Sequence, residues 1–358
     1  MSDIMKTTSD KQEASRSGSH AVRPPQSDPD RPIPVVETFK DDHRRHFTPY
    51  LVVRYQAGDS GDRPLPSGAV FWESPDVWTE GSRGINQPVV NEPTKVFARI
   101  SNLGLNDAVG VRVKYWWANP SLTITEQTAH LIGGTTVNIL SNYSLVFQCP
   151  TDWVPILENG GHECLIVEAC IPSFDPLNDP MQSTADRHVG QKNESLVLVM
   201  PNQTFQFHLE AYNFTPEKQH VVIEARSAAI PRDFTKRFAG KTRWPAELLE
   251  PMRALPVEME VGRETVGITG RSRAGLSRLF AEAAGEGPHT KADCLGTPQA
   301  SATHVFGPGE IRRVTIAGVL PATARPGEIH VIRITQRIGR IVTGGYTLYV
   351  TIDPKRAR

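Results

Sequence analysis

The stretch Gly58-Asp59-Ser60-Gly61 sets a serine in the surroundings of the nucleophile of one large class of serine proteases. That chemistry needs a histidine base, an aspartate behind it and an oxyanion hole, with the serine late in a pair of β-barrels. Ser60 comes early, and Asp62 stands where a glycine is expected next, so a Gly/Asp/Ser turn explains the residues. His162-Glu163 would open a zinc-protease helix if a second histidine stood four residues on. Ile166 stands there, in what reads as a strand. The cluster Asp41 to Phe47, "DDHRRHF", reads as solvated charge. No G-x-S-x-G, P-loop or dinucleotide fingerprint occurs, so no catalytic residue and no cofactor is expected.

Two groups of residues could bind rather than react. Asp175, Asn178, Asp179 and Asp186 lie in the oxygen-rich loop "DPLNDPMQSTAD". Hard oxygen donors at close spacing can hold calcium, but the EF-hand spacing is missing, and the alternative is a solvated loop of Asp-Pro turns. The aromatics Phe71, Trp72, Trp78, Trp116 and Trp117 could form a stacking platform or anchor a partner surface, and core packing is the competing reading. Adjacent Trp116 and Trp117 must point to opposite faces of a strand, one toward a core and one at least partly outward. In "FWESPDVW", Phe71 is expected to pack on "PYLVVRYQ", Pro75 and Asp76 to make a turn, and Val77 to start a strand beside "KVFARI". Trp72 and Trp78 then divide the roles, one buried and one available to a partner. Arg271, Arg273 and Arg278 are mixed with Glu282 and Glu286, which reads as a solvated helix face.

The elements that must hold these groups are short strands. The 358 residues carry 29 Pro and 28 Gly with no low-complexity tract, a turn density that suits an all-β chain. In "KVFARISN" Val96, Ala98 and Ile100 share a face, and in "GVRVKYWW" Val111, Val113, Tyr115 and Trp117 alternate with Arg112, Lys114 and Trp116. Further strands are expected at "YSLVFQC", "HECLIVEAC", "ESLVLVM", "TFQFHLEAYN", "QHVVIEAR", "IRRVTIAGVLP", "EIHVIRITQRI" and "GGYTLYVTI". Gly344-Gly345 read as the bend that starts the last of these. Short helices are expected within "TRWPAELLEPM" and "SRAGLSRLFAEAAGEG", inside an insertion spanning about residues 232–300.

Charge and cysteine content exclude several classes of function. With 39 Lys+Arg against 39 Asp+Glu there is no global field for nucleic acid or an anionic membrane. The longest apolar run, "ESLVLVMP", is too short to span a bilayer, so no membrane insertion is expected. The opening "MSDIMKTTSDKQEASRSGSH" has no apolar stretch of the Sec type, which predicts a cytoplasmic location or export by another route. Four cysteines are too few for a disulfide framework. Cys164 and Cys170 in one strand stand roughly 20 Å apart, too far to bridge. Cys149 could reach one of them across a sheet, and buried free thiols are the simpler reading.

The segment "NEPTKVFARISNLGLNDAVGVRVKYWWANPS" resembles the bacterial CARDB-like family of immunoglobulin-type domains, through Asn102, Gly104, Val111, Val113, Trp117 and Pro120. "GHECLIVEACIPSFDP" and "DRHVGQKN" resemble that family's C-terminal half, and "GDSGDRPLPSGAVFWESPDVW" a segment found ahead of such domains. The resemblance covers roughly residues 50–200. It implies adhesion or scaffolding by a non-catalytic domain and names no ligand. The expectation is therefore tandem immunoglobulin-like antiparallel β-sandwiches, 47–201 and 202–358, behind a disordered arm at 1–46. The expected function is a non-catalytic adhesion, scaffold or accessory module for a protein or glycan partner, its oligomeric state left open. A structural part of a secretion or virion-like assembly is the runner-up. A hydrolase with a site hidden in the insertion is the third reading.

Overall fold

The strands begin where hydrophobic alternation begins. The computed structural model describes residues 47–156, 162–238, 255, 257–262, 264–266 and 298–352. The arm read at 1–46 and the helices read in "TRWPAELLEPM" and "SRAGLSRLFAEAAGEG" lie outside these residues.

The first sandwich is built from β1 (Leu51–Val52), β2 (Val77–Gly81), β3 (Gly84–Ile85), β4 (Lys95–Asn102), β5 (Ala108–Ala118), β6 (Ala129–Ile139), β7 (Tyr143–Gln148), β8 (Cys164–Cys170) and β9 (Val189–Lys192). On one edge of β4 lie β1 and β2, end to end, and on the other lies β7. The facing sheet runs β6-β5-β8-β9. Val96, Ala98 and Ile100 from β4 meet Val111, Val113, Tyr115, Val167 and Ala169 from β5 and β8 in one buried core. This is the inward half of each alternation, as two packed amphipathic sheets require.

The second sandwich repeats the plan. Its strands are β10 (Glu194–Leu198), β11 (Thr204–Tyr212), β12 (Gln219–Ala228), β13 (Val257–Val261), β14 (Glu264–Val266), β15 (Pro298–Phe306), β16 (Ile311–Val319), β17 (Ile329–Ile338) and β18 (Ile341–Thr351), with the short helix α1 (Phe234–Arg237) after β12. One sheet runs β11-β16-β13-β14, the other β15-β12-β17-β18-β10. The pairing of β4 with β7 recurs as β11 with β16, and the order β6-β5-β8-β9 as β15-β12-β17-β18. The chain is thus all-β, two immunoglobulin-like sandwiches in tandem.

The repeat extends to single residues. At the end of β4 the Asn102 amide donates to Asn106 O at 2.8 Å and Ile139 O at 3.2 Å, while its Oδ1 accepts Gly104 N–H at 3.1 Å. After β11, Asn213 donates to Glu217 O at 2.7 Å and Gly307 O at 2.8 Å, and its Oδ1 accepts Thr215 N–H at 3.1 Å. Each asparagine closes the turn between the sheets of its own sandwich. Gly104 must be glycine, because a Cβ there would sit 2.1 Å from Thr48 O.

The two halves share a core. Ala118, Leu122, Cys164 and Ile166 of the first half are buried in one cluster with Phe205, Phe207, Ile223, Tyr346 and Leu348 of the second. Nor does the seam fall at residue 201: Glu194–Leu198 pairs parallel with β18, so the second sheet begins directly after β9. That parallel pairing departs from the antiparallel expectation, and its reason is local. The chain runs from β9 into β10 without a turn, through Asn193. Asn193 N–H donates to Trp72 O at 2.8 Å, its carbonyl accepts Thr347 N–H at 3.0 Å, and its amide reaches Gly345 O at 3.2 Å.

Gly344 and Gly345 do not start a strand; they sit inside β18. A Cβ on Gly345 would stand 2.5 Å from the Trp72 ring, which lies flat against it with Nε1 donating to Thr347 Oγ1 at 3.0 Å. Gly345→Val should therefore lower stability by about 1–3 kcal/mol through overpacking, and Trp72→Ala by about 3–5 kcal/mol. Because the two side chains would occupy one space, Gly345→Val should cost much less in the Trp72→Ala background. Urea titration of the four proteins reads the coupling, and additive effects would refute the contact.

Candidate functional site

Trp72 lies in the core at 2% exposure, so it is not a surface aromatic. It packs edge-on against Phe71, and both belong to a cluster with Tyr55 of "PYLVVRYQ". The next residue, Glu73, carries a carboxylate into the same buried place. Its Oε1 accepts Arg333 Nε at 2.9 Å and Thr347 Oγ1 at 2.7 Å, and its Oε2 accepts Arg237 Nη1 at 3.0 Å. Arg237 also donates to Glu194 Oε2 at 3.0 Å and Asp233 Oδ1 at 2.9 Å, and Lys192 Nζ stands 2.5 Å from Glu194 Oε1. Burial pushes the Glu73 carboxyl up, but Arg333 and Arg237 outweigh it and hold the group below the ordinary carboxylate range. The cluster ties the extension before β2 to α1, β10, β17 and β18.

Beside this sealed cluster lies an open cleft of about 480 Å³, between residues 67–72 and the outer face of β12 and β17. Arg226 and Arg333 face each other across the strand pair, and Arg337 lies one strand repeat from Thr335. Glu224 accepts Arg226 Nη2 at 2.9 Å and Arg337 Nη2 at 2.6 Å. Ala69, Val70 and Val342, packed on the buried Phe71–Trp72 cluster, form the apolar wall.

Trp78 behaves differently from Trp72. On the outer face of β2, β4 and β7 it stacks on Phe97 with ring centroids 5.5 Å apart and planes 9° from parallel. Register puts Gln148 beside Phe97, and Val146 beside Arg99, whose guanidinium lies 5.9 Å over the Trp78 ring. Trp78 Nε1 donates to Glu80 Oε1 at 3.1 Å. Trp78, Phe97 and Arg99 are all partly exposed, and Val146 is exposed. The turn before β2 is fixed by Asp76, fully buried, which accepts Arg54 Nε at 2.9 Å and Arg54 N–H at 3.1 Å.

Trp116 and Trp117 take opposite faces of β5, both partly buried. Trp117 packs on the first core and stacks on His130 at 4.5 Å. Trp116 packs on the shared core and donates to Glu168 Oε2 at 3.1 Å.

The acidic loop folds around a histidine that sequence reasoning passed over. Asp186 Oδ2 accepts the backbone N–H of Asn178 at 2.7 Å and of Asp179 at 3.1 Å, and its Oδ1 meets His188 Nδ1 at 2.6 Å. Asp175 Oδ2 accepts Leu51 N–H at 2.6 Å, and Asp175 is paired with Arg187 through its other oxygen. His188 Nε2 lies 3.2 Å from Asp175 Oδ2, an ion pair not aligned as a hydrogen bond. Of the four loop residues named as calcium candidates, Asp175 and Asp186 thus turn their carboxylates to N–H donors, and the Asn178 amide donates to Pro176 O at 3.3 Å. Among the described residues no group of three or more His, Cys, Asp and Glu is placed to hold a metal. The signal for this lock was Asp186-x-His188, a spacing that one turn closes.

Ser60 Oγ donates to Asp62 Oδ2 at 3.1 Å, while Asp59 is buried against Arg63 at 3.0 Å. Gly58 and Gly61 at φ 80° and 91° make this a turn. His162 packs 5.4 Å from the Phe207 ring, and burial lowers its pKa to about 4. Cys149, Cys164 and Cys170 are free thiols.

No protein-family model matches the chain, and no curated protein matches it. Among solved structures, a family 123 glycoside hydrolase from Clostridium perfringens is similar at TM-score 0.25 and 9% identity, over 45% of this chain and 23% of its own. The chain thus spans under a quarter of that hydrolase's length. The CupB6 tip adhesin from Pseudomonas aeruginosa is similar at TM-score 0.18 and 9% identity, over 87% of this chain and 99% of its own. The Enterococcus faecalis MSCRAMM ACE is similar at TM-score 0.21 and 8% identity, over 79% and 97%. Overlaps this loose assign neither activity nor ligand.

Removing the Glu73 carboxylate would leave two partly buried guanidinium groups short of an acceptor. Glu73→Ala should cost about 3–5 kcal/mol, read by urea titration. The pKa of Glu73 is lowered on folding, so its contribution is present above about pH 4.5 and is lost as pH falls further.

His188 has the opposite sign. Burial pulls its pKa down, but the flanking carboxylates of Asp175 and Asp186 outweigh that and Arg187's opposing charge, and the net shift is upward. Its contribution is therefore complete below pH 6.5 and declines as pH rises through the folded value. Thermal melts between pH 6 and 9 should show a decline that His188→Gln removes. An unchanged slope in the variant would refute the lock.

Proposed function

We propose that the chain is a non-catalytic recognition module that binds a protein or glycan surface through the Trp78–Phe97 platform. The observation that carries this reading is the stacked, partly exposed aromatic pair on an outer sheet face, with Arg99 held over the Trp78 ring. Apolar area of this kind in contact with water costs free energy that a partner recovers. Trp is among the residues most often found as an interface anchor. The partly exposed pair offers apolar ring surface to a planar group or to the apolar face of a sugar ring, and Glu80, Lys95 and Gln148 supply a polar rim.

The non-catalytic part is supported by how the reactive groups are engaged. The Ser60 hydroxyl bonds to Asp62, and Glu73 is saturated with arginine and threonine donors. The resemblance of residues 50–200 to CARDB-like domains points the same way.

Screening the full chain on protein and glycan arrays, followed by surface plasmon resonance, tests the reading. Trp78→Ala should weaken the strongest interaction at least tenfold while stability changes by about 0.5 kcal/mol or less. Binding indifferent to both Trp78→Ala and Phe97→Ala would refute the platform. Turnover of ester, peptide or glycoside substrates that a point substitution abolishes would refute the non-catalytic reading.

A further inference from the structure

The cleft between residues 67–72 and strands β12 and β17 has the composition of a ligand site. Its volume of about 480 Å³ falls in the usual span of small-ligand pockets, about 300–1,000 Å³. One wall is apolar, formed by Ala69, Val70 and Val342 packed on the buried Phe71–Trp72 cluster. The other presents Arg226, Arg333 and Arg337 with one lining carboxylate among the described residues, Glu224. Ion pairing does not account for every donor of Arg337. Glu224 takes one nitrogen from Arg226 and one from Arg337, and Arg333 turns Nε and Nη2 to Glu73. The Nε–H of Arg337 is buried and has no acceptor among the described residues. A buried donor left unpaired costs free energy, and an acceptor brought by a ligand recovers it.

We propose that this cleft binds a sugar unit bearing one carboxylate or sulfate group. Guanidinium groups match these planar or trigonal oxyanions with paired N–H donors, in a way a neutral sugar cannot exploit. The sheet face holds its arginines at fixed strand spacing, with Arg226 opposite Arg333, so the anion meets preset charges. The apolar wall takes the ring's apolar face, and Ser67 and Thr335 offer hydroxyls to the ring's own. An extended acidic peptide fits less well, because the lining offers one cluster of positive charge rather than a row.

This assignment rests on the recognition-module reading but uses a different surface from the Trp78 platform, so the two fail separately. Isothermal titration of the full chain at low salt, with glucuronate, glucose 6-sulfate, glucose, inorganic sulfate and a tetraglutamate peptide, tests it. At least one of glucuronate and glucose 6-sulfate should bind saturably, and whichever binds identifies the anionic group. That binding should be at least tenfold tighter than that of glucose or inorganic sulfate. Arg337→Gln and Arg226→Gln should each weaken it about tenfold with melting curves that still show a cooperative fold, and Trp78→Ala should leave it unchanged. Glucose binding equally well would remove the anion from the proposal, and inorganic sulfate binding equally well would remove the sugar. Preference for the peptide, no saturable binding of either sugar acid, or loss of binding only in Trp78→Ala would overturn the site.

Discussion

A buried carboxylate holds this molecule together. Glu73 sits at 4% exposure between two sandwiches, and a charge so placed is tolerable only if its oxygens are filled. Arg333 from β17, Arg237 from α1 and Thr347 from β18 fill them. Those partners come from widely separated parts of the chain, so the geometry forms only when the second sheet, its covering helix and the segment before β2 are all in place. Such a cluster contributes little net stability over a well-packed apolar substitute. What it fixes is position: a shifted extension would strand two guanidinium groups, so wrong packings of the sandwiches are penalised. Trp72 works with it through shape, its ring filling the space that Gly345 leaves.

The consequence for recognition is rigidity. Two immunoglobulin-like units joined by a linker would move against one another, since interfaces within a chain are commonly modest. Here the apolar core is continuous through Leu122, Ile166, Phe207 and Tyr346, and β10 leaves one sandwich and joins the other with Asn193 pinned on both sides. The cleft is made from both halves, since its apolar wall comes from the extension and its arginines from β12 and β17. Arg333 belongs to the cleft and to the Glu73 cluster alike. The residue that sets the cleft's charge is thus positioned by the contact that docks the halves, and ligand-site geometry and domain geometry are one constraint.

How much of this was legible in the sequence differs by scale. The strands were, because one-sided burial imposes alternation. Val96, Ala98 and Ile100 point inward as the pattern requires, and Val77 opens β2 beside Ala98. The division of Trp72 from Trp78 was legible as a division, though not which was which: both flank the same Ser-Pro-Asp turn, and only the second sheet decides. Gly344-Gly345 was read as a bend because glycine in a strand most often marks one. Its true reason, contact with a ring 273 positions earlier, leaves no local trace. The candidate cleft was invisible for the same reason. Arg226, Arg333 and Arg337 stand in strands that read as ordinary inside-outside alternation, and outward arginines look solvated until residues 67–72 are laid over them. His188 was not legible because closely spaced loop oxygens resemble metal ligands in sequence, whereas the Asp186 carboxylate is taken by backbone N–H groups and the His188 imidazole.

Neutral charge sharpens the functional reading. A chain with 39 basic and 39 acidic side chains exerts little field beyond the Debye length, about 8 Å at physiological salt, so it does not draw polyanions from a distance. Charge enters the proposed cleft at contact, where among the described residues Arg226, Arg333 and Arg337 line one wall with Glu224, and Arg333 is also paired with Glu73. A local excess inside a neutral molecule discriminates a ligand by the placement of one anionic group and gives no advantage to long charged polymers. The proposed Trp78–Phe97 platform, stacked and partly exposed, would select on shape and apolar area instead. Under the two proposals one surface reads shape and one recess reads charge, and a target that engaged both would gain specificity even where each contact alone is weak, because the second would be made within an already bound complex.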